Sequence, residues 1–271
     1  MKYQYNSEYI KTYCNNTSIE TRNKFSDDVH IVVIGHLRHL TDLITFYKGI
    51  KNVIFVVDNT EDPQKVKLLH DNGFIVLINT IPSETGFGNI NLQCSSTNIG
   101  INYLKSIDVN NMIRMRSDQI ILQLHKFINN FKFDKIGFLS YIDLTNNSGH
   151  FNENVNALQK KLEIEHNKKI DNLSYNYVMD YCITGPVLSL EKMFNYHETT
   201  PIYAPAEHKL LMNYLSVTDL KFNNSYDYLR KHFYFILSTL TKHNIDFIMI
   251  KQNYNNWSVC LKQDAPDLYI F

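Results

Sequence analysis

Long apolar runs are missing from this 271-residue sequence. The clearest are Ile31–Ile34, Val53–Val57 and Phe74–Ile78, each far short of the roughly 20 residues that cross a bilayer. Met1 to Asp28 is polar and aromatic and holds no apolar core of signal-peptide length. These absences predict a cytoplasmic chain with at most peripheral membrane association. Charge of one sign is missing too, because 27 Lys and Arg face 27 Asp and Glu with no block of either. A nucleic-acid partner asks for a basic face, so none is expected. Cysteine is scarce and scattered: Cys14, Cys94, Cys182 and Cys260 form no CxxC pair. That spacing excludes a zinc finger and a disulfide framework and predicts free thiols. Gly86 and Gly88 form neither GxGxxG nor a Walker A loop, which removes support for a Rossmann cofactor or a P-loop. No internal repeat is present.

What is there is a core-forming composition, 44% hydrophobic, laid out as alternating strands and helices. His30–Gly35 and Asn52–Val57 are short β-branched runs that predict buried strands. Between them Leu40, Leu43, Ile44 and Tyr47 follow helical spacing. The polar turn Asp58–Pro63 opens a short helix through Val66, Leu68 and Leu69, and Gly73–Ile78 is a third strand. A loop from Asn79 to Asn89 leads to a helix over about Asn91–Leu104, and Asn111–Arg116 is a fourth strand. The order β-α-β-α-β-α-β implies a mostly parallel sheet with right-handed crossovers. Ligands of such sheets bind beyond the carboxyl ends of the strands. His36, Asp58, the Asn79–Asn89 loop and Asp118 should therefore meet at one crevice.

The second half is less regular. Lys135–Ser140 predicts a strand, and 146–172 a polar excursion with one short helix. A strand from Met179 turns at Gly185-Pro186 into a helix through Leu188, Leu190 and Met193. Pro205 opens a helix with Leu210, Leu211 and Leu215, and Leu229, Phe233, Ile236, Leu237 and Leu240 predict an amphipathic helix. Asp246–Ile250 is a late strand. The organisation expected is an N-terminal extension, 1–28, and one α/β domain, 29–271. Its 29–120 half would bind a nucleotide and its irregular 121–271 half an acceptor.

Three carboxylates stand out. Asp118 ends the fourth strand, where a hard cation such as Mg²⁺ or Mn²⁺ could bridge two phosphates. Arg116-Ser117-Asp118 lacks the first carboxylate of an Asp-x-Asp motif, and Arg114 and Arg116 are candidates for the missing positive charge. The plainer alternative is a turn or capping aspartate. Asp58 ends the second strand and is placed either to accept from a ribose or base or to make an Asx-turn. Glu207 opens a helix, as general base or as a cap favoured by the helix dipole. Asp180 ranks behind it.

Four stretches, in order, resemble the WavE-type lipopolysaccharide-synthesis family of GT-A-like glycosyltransferases. Asn91-Leu-Gln-Cys-Ser-Ser-Thr-Asn-Ile-Gly100 looks like its N-x-Q-x-x-S-T-x-x-G helix. Ile113–Gln119 looks like its K-x-R-[ST]-D strand end, and Asp180–Pro186 like its D-x-x-x-x-G-P segment. Ala204-Pro-Ala-Glu207 looks like its P-E segment with an extra alanine, while Ile34-Gly35-His36 departs from its Q-G-P. The resemblance implies a GT-A-like fold and a nucleotide-sugar donor, for which the candidate binding residues are His36, Asp58, Gln93, Arg114, Arg116 and Ser117. It also implies Mn²⁺ or Mg²⁺ on Asp118, and Glu207 with Asp180 on the catalytic side of an inverting transfer. The acceptor would be a glycan or glycolipid of lipopolysaccharide, capsule or another surface glycan. Retention of configuration stays open. So do two other readings, a sugar nucleotidyltransferase and a non-catalytic nucleotide- or glycan-binding module.

Overall fold

The computed structural model describes residues 7–142, 176–199, 206–220, 231–236, 242–243 and 245–249. Its centre is set by β-branched runs. Val29–Ile34 (β1) and Val53–Asp58 (β2) are covered on both faces, and every residue of β2 is buried. Strands without polar alternation belong inside a parallel sheet between two helical layers. β1 pairs in parallel with β2 on one edge and with Asn111–Arg116 (β4) on the other. β2 pairs in parallel with Ile75–Asn79 (β3). Gln119–Ile121 (β5) pairs with Phe247–Met249 (β9) in a separate antiparallel ribbon. The second half adds Ile136–Ile142 (β6), Asn176–Pro186 (β7) and Phe233–Phe235 (β8) to the main sheet. The seven strands stand in the order β3-β2-β1-β4-β7-β6-β8. β7 is antiparallel to both neighbours while β8 is parallel to β6, so β7 alone among these strands runs against the rest. The chain is a single α/β domain with a mostly parallel sheet flanked by helices.

Alternate residues of β1 serve two cores. Ile31 and Val33 pack under Leu40–Tyr47 (α3), with Leu40, Leu43, Phe46 and Tyr47 buried, and under Leu124–Asn130 (α6). Ser7–Asn16 (α1) and Ile19–Arg22 (α2) close this layer, and Ile10 and Phe25 are part of the same core. Pro63–Asp71 (α4) starts on an Asp62 cap whose carboxylate accepts from Gln64 N–H at 2.9 Å. Val32 and Ile34 face the opposite layer of Ile90–Ser106 (α5), Val187–Phe194 (α7) and Ala206–Val217 (α8). α5 lies close on the sheet at Gly100, where a Cβ would stand 2.8 Å from Val32 Cγ1. No helix among the described residues is long and apolar enough to cross a membrane.

Two expectations are corrected. The apolar spacing around 229–240 predicts one continuous helix; residues 231–232 and 236 are helical, but Phe233–Phe235 between them is a strand paired with β6. Three consecutive aromatics suit an extended chain. They alternate as a strand does, with Phe233 against Phe138 and Tyr214, and Tyr234 against Phe131. The free edge of β6 rewards that pairing, and it overrides the helical period. The second correction is at Gly185-Pro186, where no turn forms. β7 runs through to Pro186, and α7 starts at once, with Val187 N–H bonded to Asn110 O at 2.8 Å. α1, α2, β5 and α6 were not expected from the sequence. The helix expected within 146–172, and residues Leu229, Leu237 and Leu240, lie outside the described residues.

His30, His39 and His125 sit below the usual histidine range, in each case mainly through burial. A depressed pKa means that the folded chain prefers neutral imidazole. The stability it contributes is present above the ordinary value of about 6.5 and is lost as the pH falls through the folded values. The melting temperature should therefore drop between pH 7 and pH 5, and His30→Leu should flatten part of that drop. A melting curve independent of pH across this window would contradict the burial of these rings.

Candidate functional site

The strand order reverses at β1: the chain steps outward through β2 and β3, and α5 then brings it back to β4 on the other side of β1. A crevice at such a reversal, beyond the carboxyl ends, is the favoured ligand site of an open α/β sheet. Ser117 stitches its two sides together. Its N–H donates to Ile34 O at 2.9 Å, and its Oγ donates to His36 O at 2.7 Å. Gly35 has φ +118°, and a Cβ there would lie 3.1 Å from Ser117 Oγ. Gly35→Ala should therefore cost about 1–3 kcal/mol of stability through backbone strain. It should also weaken any ligand of the crevice, which denaturation and ligand titration of the variant would read separately.

Arg116 and Asp118 form the charged lip. Arg116 donates from Nε to Asp118 Oδ1 at 3.1 Å and from Nη2 to Oδ2 at 2.9 Å, a two-pronged pair that is partly buried. The charge of Asp118 also favours the protonated form of His39, the residue just before α3. The next residue, Gln119, is fully buried with neither amide atom hydrogen-bonded. His36 is exposed, its Nδ1 3.7 Å from Glu61 Oε2. Glu61 accepts from Leu37 N–H at 2.8 Å and from Lys65 Nζ at 3.2 Å. Burial pushes the Glu61 carboxyl up, but these bonds outweigh it and hold the group below its usual range. Glu61 thereby fixes the backbone that carries His36.

Asp58 is 6% exposed. Asn79 Nδ2 donates to its Oδ1 at 2.9 Å and to Ser96 Oγ at 3.0 Å, while Ser95 Oγ donates to Asn79 Oδ1 at 2.6 Å. The ends of β2 and β3 are thus tied to α5 by one polar network. Gln93, also on α5, donates to Gly88 O at 3.3 Å and keeps a buried Oε1 with no partner.

Arg114 lies a layer deeper. It is 1% exposed, bonds Thr97 Oγ1 through Nε at 3.1 Å, and stacks 5.4 Å over the Phe194 ring. This is a packed position between α5 and α7. Burial raises the thiols of Cys94, to about 12, and of Cys182, against the opposing charge of Arg114. These cysteines are free, as is Cys14, and the two buried ones are not poised as nucleophiles.

Asp180 lies on β7, two residues from Cys182, which pairs with Met115, so it stands at the crevice end of that strand. Glu207 is the second residue of α8. The start of that helix reaches the glycine loop, since a Cβ on Gly88 would lie 3.7 Å from Ala206 Cβ. The side chains of Asp180 and Glu207 lie outside the described ones. Among the described residues no three His, Cys, Asp or Glu stand together as a metal site would require.

Sequence reasoning passed over the support beneath this loop. Asn91 Nδ2 donates to Glu84 O and Glu198 O, both at 2.9 Å, and its Oδ1 accepts from Glu198 N–H at 2.6 Å. Glu198 pairs with Lys209 of α8, and both are almost fully buried. Lys209 sits beside Leu210 and Leu211, so its sequence neighbours gave no sign of an ion pair. Glu61 was passed over because it lies in the polar turn Asp58–Pro63, and His39 because it precedes the helical spacing that starts at Leu40.

No family model matches the chain, and no curated protein matches it. Among solved structures it is similar to 4-diphosphocytidyl-2C-methyl-D-erythritol synthase from Anaerococcus prevotii, at 10% identity and a TM-score of 0.41. That match covers 76% of this chain and 87% of that one. It is also similar to a Bacillus anthracis structure described as a glucose-1-phosphate thymidylyltransferase in complex with a sucrose. There the identity is 11% and the TM-score 0.35, over 72% of this chain and 86% of that one. Folds this distantly alike host unrelated activities.

Proposed function

We propose that the chain binds a nucleotide-sugar in the β1–β4 crevice and transfers the sugar to a glycan or glycolipid acceptor. One observation supports this most. Three of the four stretches that resemble the WavE-type family, though far apart in the chain, gather around β4. The first is tied to β4 by Thr97 and Arg114, the second is β4 and its end, and the third pairs with β4 along β7. The fourth reaches the glycine loop at Ala206.

In this reading the diphosphate lies over Arg116, which turns toward it from Asp118. His36 and Ser117 line the approach, Gln93 closes it from α5, and Asp58 with Asn79 takes the ribose or base. Arg114 acts from below by holding α5 and α7 in place. Glu207 takes the proton of the acceptor hydroxyl, with Asp180 as the alternative base. A divalent cation would use Asp118, but Arg116 now holds both of its oxygens. The described residues supply no further cluster for it, so no step is routed through a metal. Nucleotidyl transfer to a sugar phosphate is the second reading. It is favoured by His36 and Arg38, both exposed on the loop after β1, where an additional phosphate would lie.

The test is a melting-temperature screen of nucleotide-sugars and nucleoside triphosphates, with and without Mn²⁺, followed by product analysis. A ligand of the folded state must raise the melting point. Glycosyl transfer releases a nucleoside diphosphate or monophosphate from a nucleotide-sugar. Nucleotidyl transfer releases pyrophosphate from a triphosphate and a sugar phosphate. A chain stabilised by no nucleotide would sink both readings and leave a binding module for other ligands.

A further inference from the structure

A second polar enclosure lies far from the crevice. Arg22, 6% exposed, ends α2 with its guanidinium carbon 5.3 Å over the Phe46 ring. Its Nε and Nη2 have no hydrogen-bond partner, and among the described residues no carboxylate pairs with it. A buried cation without a counter-charge is strongly disfavoured. Two more polar atoms beside it are buried and unbonded, the Tyr13 hydroxyl on α1 and His125 Nδ1 on α6. Thr17 stands near the Tyr13 hydroxyl without a hydrogen bond of normal geometry. Tyr13 and Arg22 share the Phe46 ring, whose centroid lies 6.4 Å from that of Tyr13 and 5.3 Å from the guanidinium carbon, and α2 packs on α6, the helix that carries His125.

The shape of the unused edge says what is missing. Nε–H and Nη2–H point the same way from one edge of a guanidinium and match two oxygens of a carboxylate or phosphate. Arg116 uses these two atoms to clasp both oxygens of Asp118. At Arg22 the same edge bonds no oxygen of the described residues. Asn23, the next residue, bonds Gly49 O at 2.7 Å and Lys51 N–H at 2.8 Å, just before β2 begins. The enclosure is therefore at the amino end of the sheet, opposite the crevice.

We propose that the space between α1, α2 and α6 binds a small oxyanion. Arg22 holds two of its oxygens, and Tyr13 and His125 donate to it. The ligand is a phosphate or a small carboxylate, and its role is to complete the packing of α1 and α2 on the domain.

The test is the melting temperature of the full chain in phosphate, acetate and chloride at equal ionic strength. Phosphate or acetate should give a saturable rise of several degrees that chloride does not, and whichever is effective at lower concentration identifies the ligand. The rise should vanish in Arg22→Met and shrink in Arg22→Lys, which keeps the charge without the paired edge. It should survive in Arg116→Met, which would instead remove any effect of anions in the crevice. His125→Phe should weaken the half-saturating concentration several-fold and gives a second readout if Arg22→Met does not fold. No oxyanion-specific rise in the parent chain, or a rise that Arg22→Met retains, overturns the proposal.

Discussion

Replacing Lys209 with methionine should lower the stability of the folded chain by about 3–5 kcal/mol, the usual result of removing one partner from a buried ion pair. Lys209 is 4% and Glu198 5% exposed. Burial lowers the Lys209 pKa, and the bond and charge of Glu198 oppose that. Without Lys209 the Glu198 carboxylate stays enclosed beside Gly86, where even a Cβ would stand 2.9 Å from Glu198 Oε2, so water has little room to replace the ammonium. Removing both charges together, as Glu198→Gln with Lys209→Met, should restore most of the loss, since two apolar or neutral groups no longer need each other. Denaturant midpoints of the two singles and the double would measure the coupling. A loss under about 1 kcal/mol in Lys209→Met would mean that the pair is effectively solvated. The same variant should loosen Asn91, the glycine loop and the start of α8 together, because all of them meet at Glu198.

Arg116→Met should cost the proposed reaction about 10²–10³-fold in kcat/KM, the range for losing one preorganised charge at a developing anion. The fold should be nearly unaffected, because Arg116 is partly exposed and its pair with Asp118 is at the lip of the crevice. Asp118→Asn separates two roles. If Asp118 only orients Arg116, the variant should raise KM and keep its response to Mn²⁺. If it is the cation ligand, the Mn²⁺ response should disappear while Arg116→Met keeps it. Steady-state kinetics across a Mn²⁺ series would decide between them. Equal activity in the parent and Arg116→Met would remove the charged lip from the mechanism.

The alternation of strands and helices up to Asp118 was legible because fully buried strands are written as unbroken apolar runs rich in β-branched residues, and Val53–Val57 is one. The crevice was legible for the same reason, since topology alone brings the ends of β1, β2, β3 and β4 to one side. Phe233–Phe235 was not. Its apolar spacing fits a helix, and only the open edge of β6 turns it into a strand. Arg114 carried the same sequence signal as Arg116, two residues apart on one strand. Depth separates them: the first is enclosed by Thr97 and Phe194, and the second reaches the lip.

The sequence by itself determined the α/β class, the strand ends that meet at the crevice and the scatter of free cysteines, because these follow from local period and chain order. The tertiary structure alone decided which charges are paired. Arg116 has Asp118, Lys209 has Glu198, and among the described residues Arg22 has neither a carboxylate nor a hydrogen bond at its Nε and Nη2 edge. Pairing depends on which side chains the fold brings within about 3–4 Å and how far it removes them from water, and neither is written in the spacing of residues along the chain.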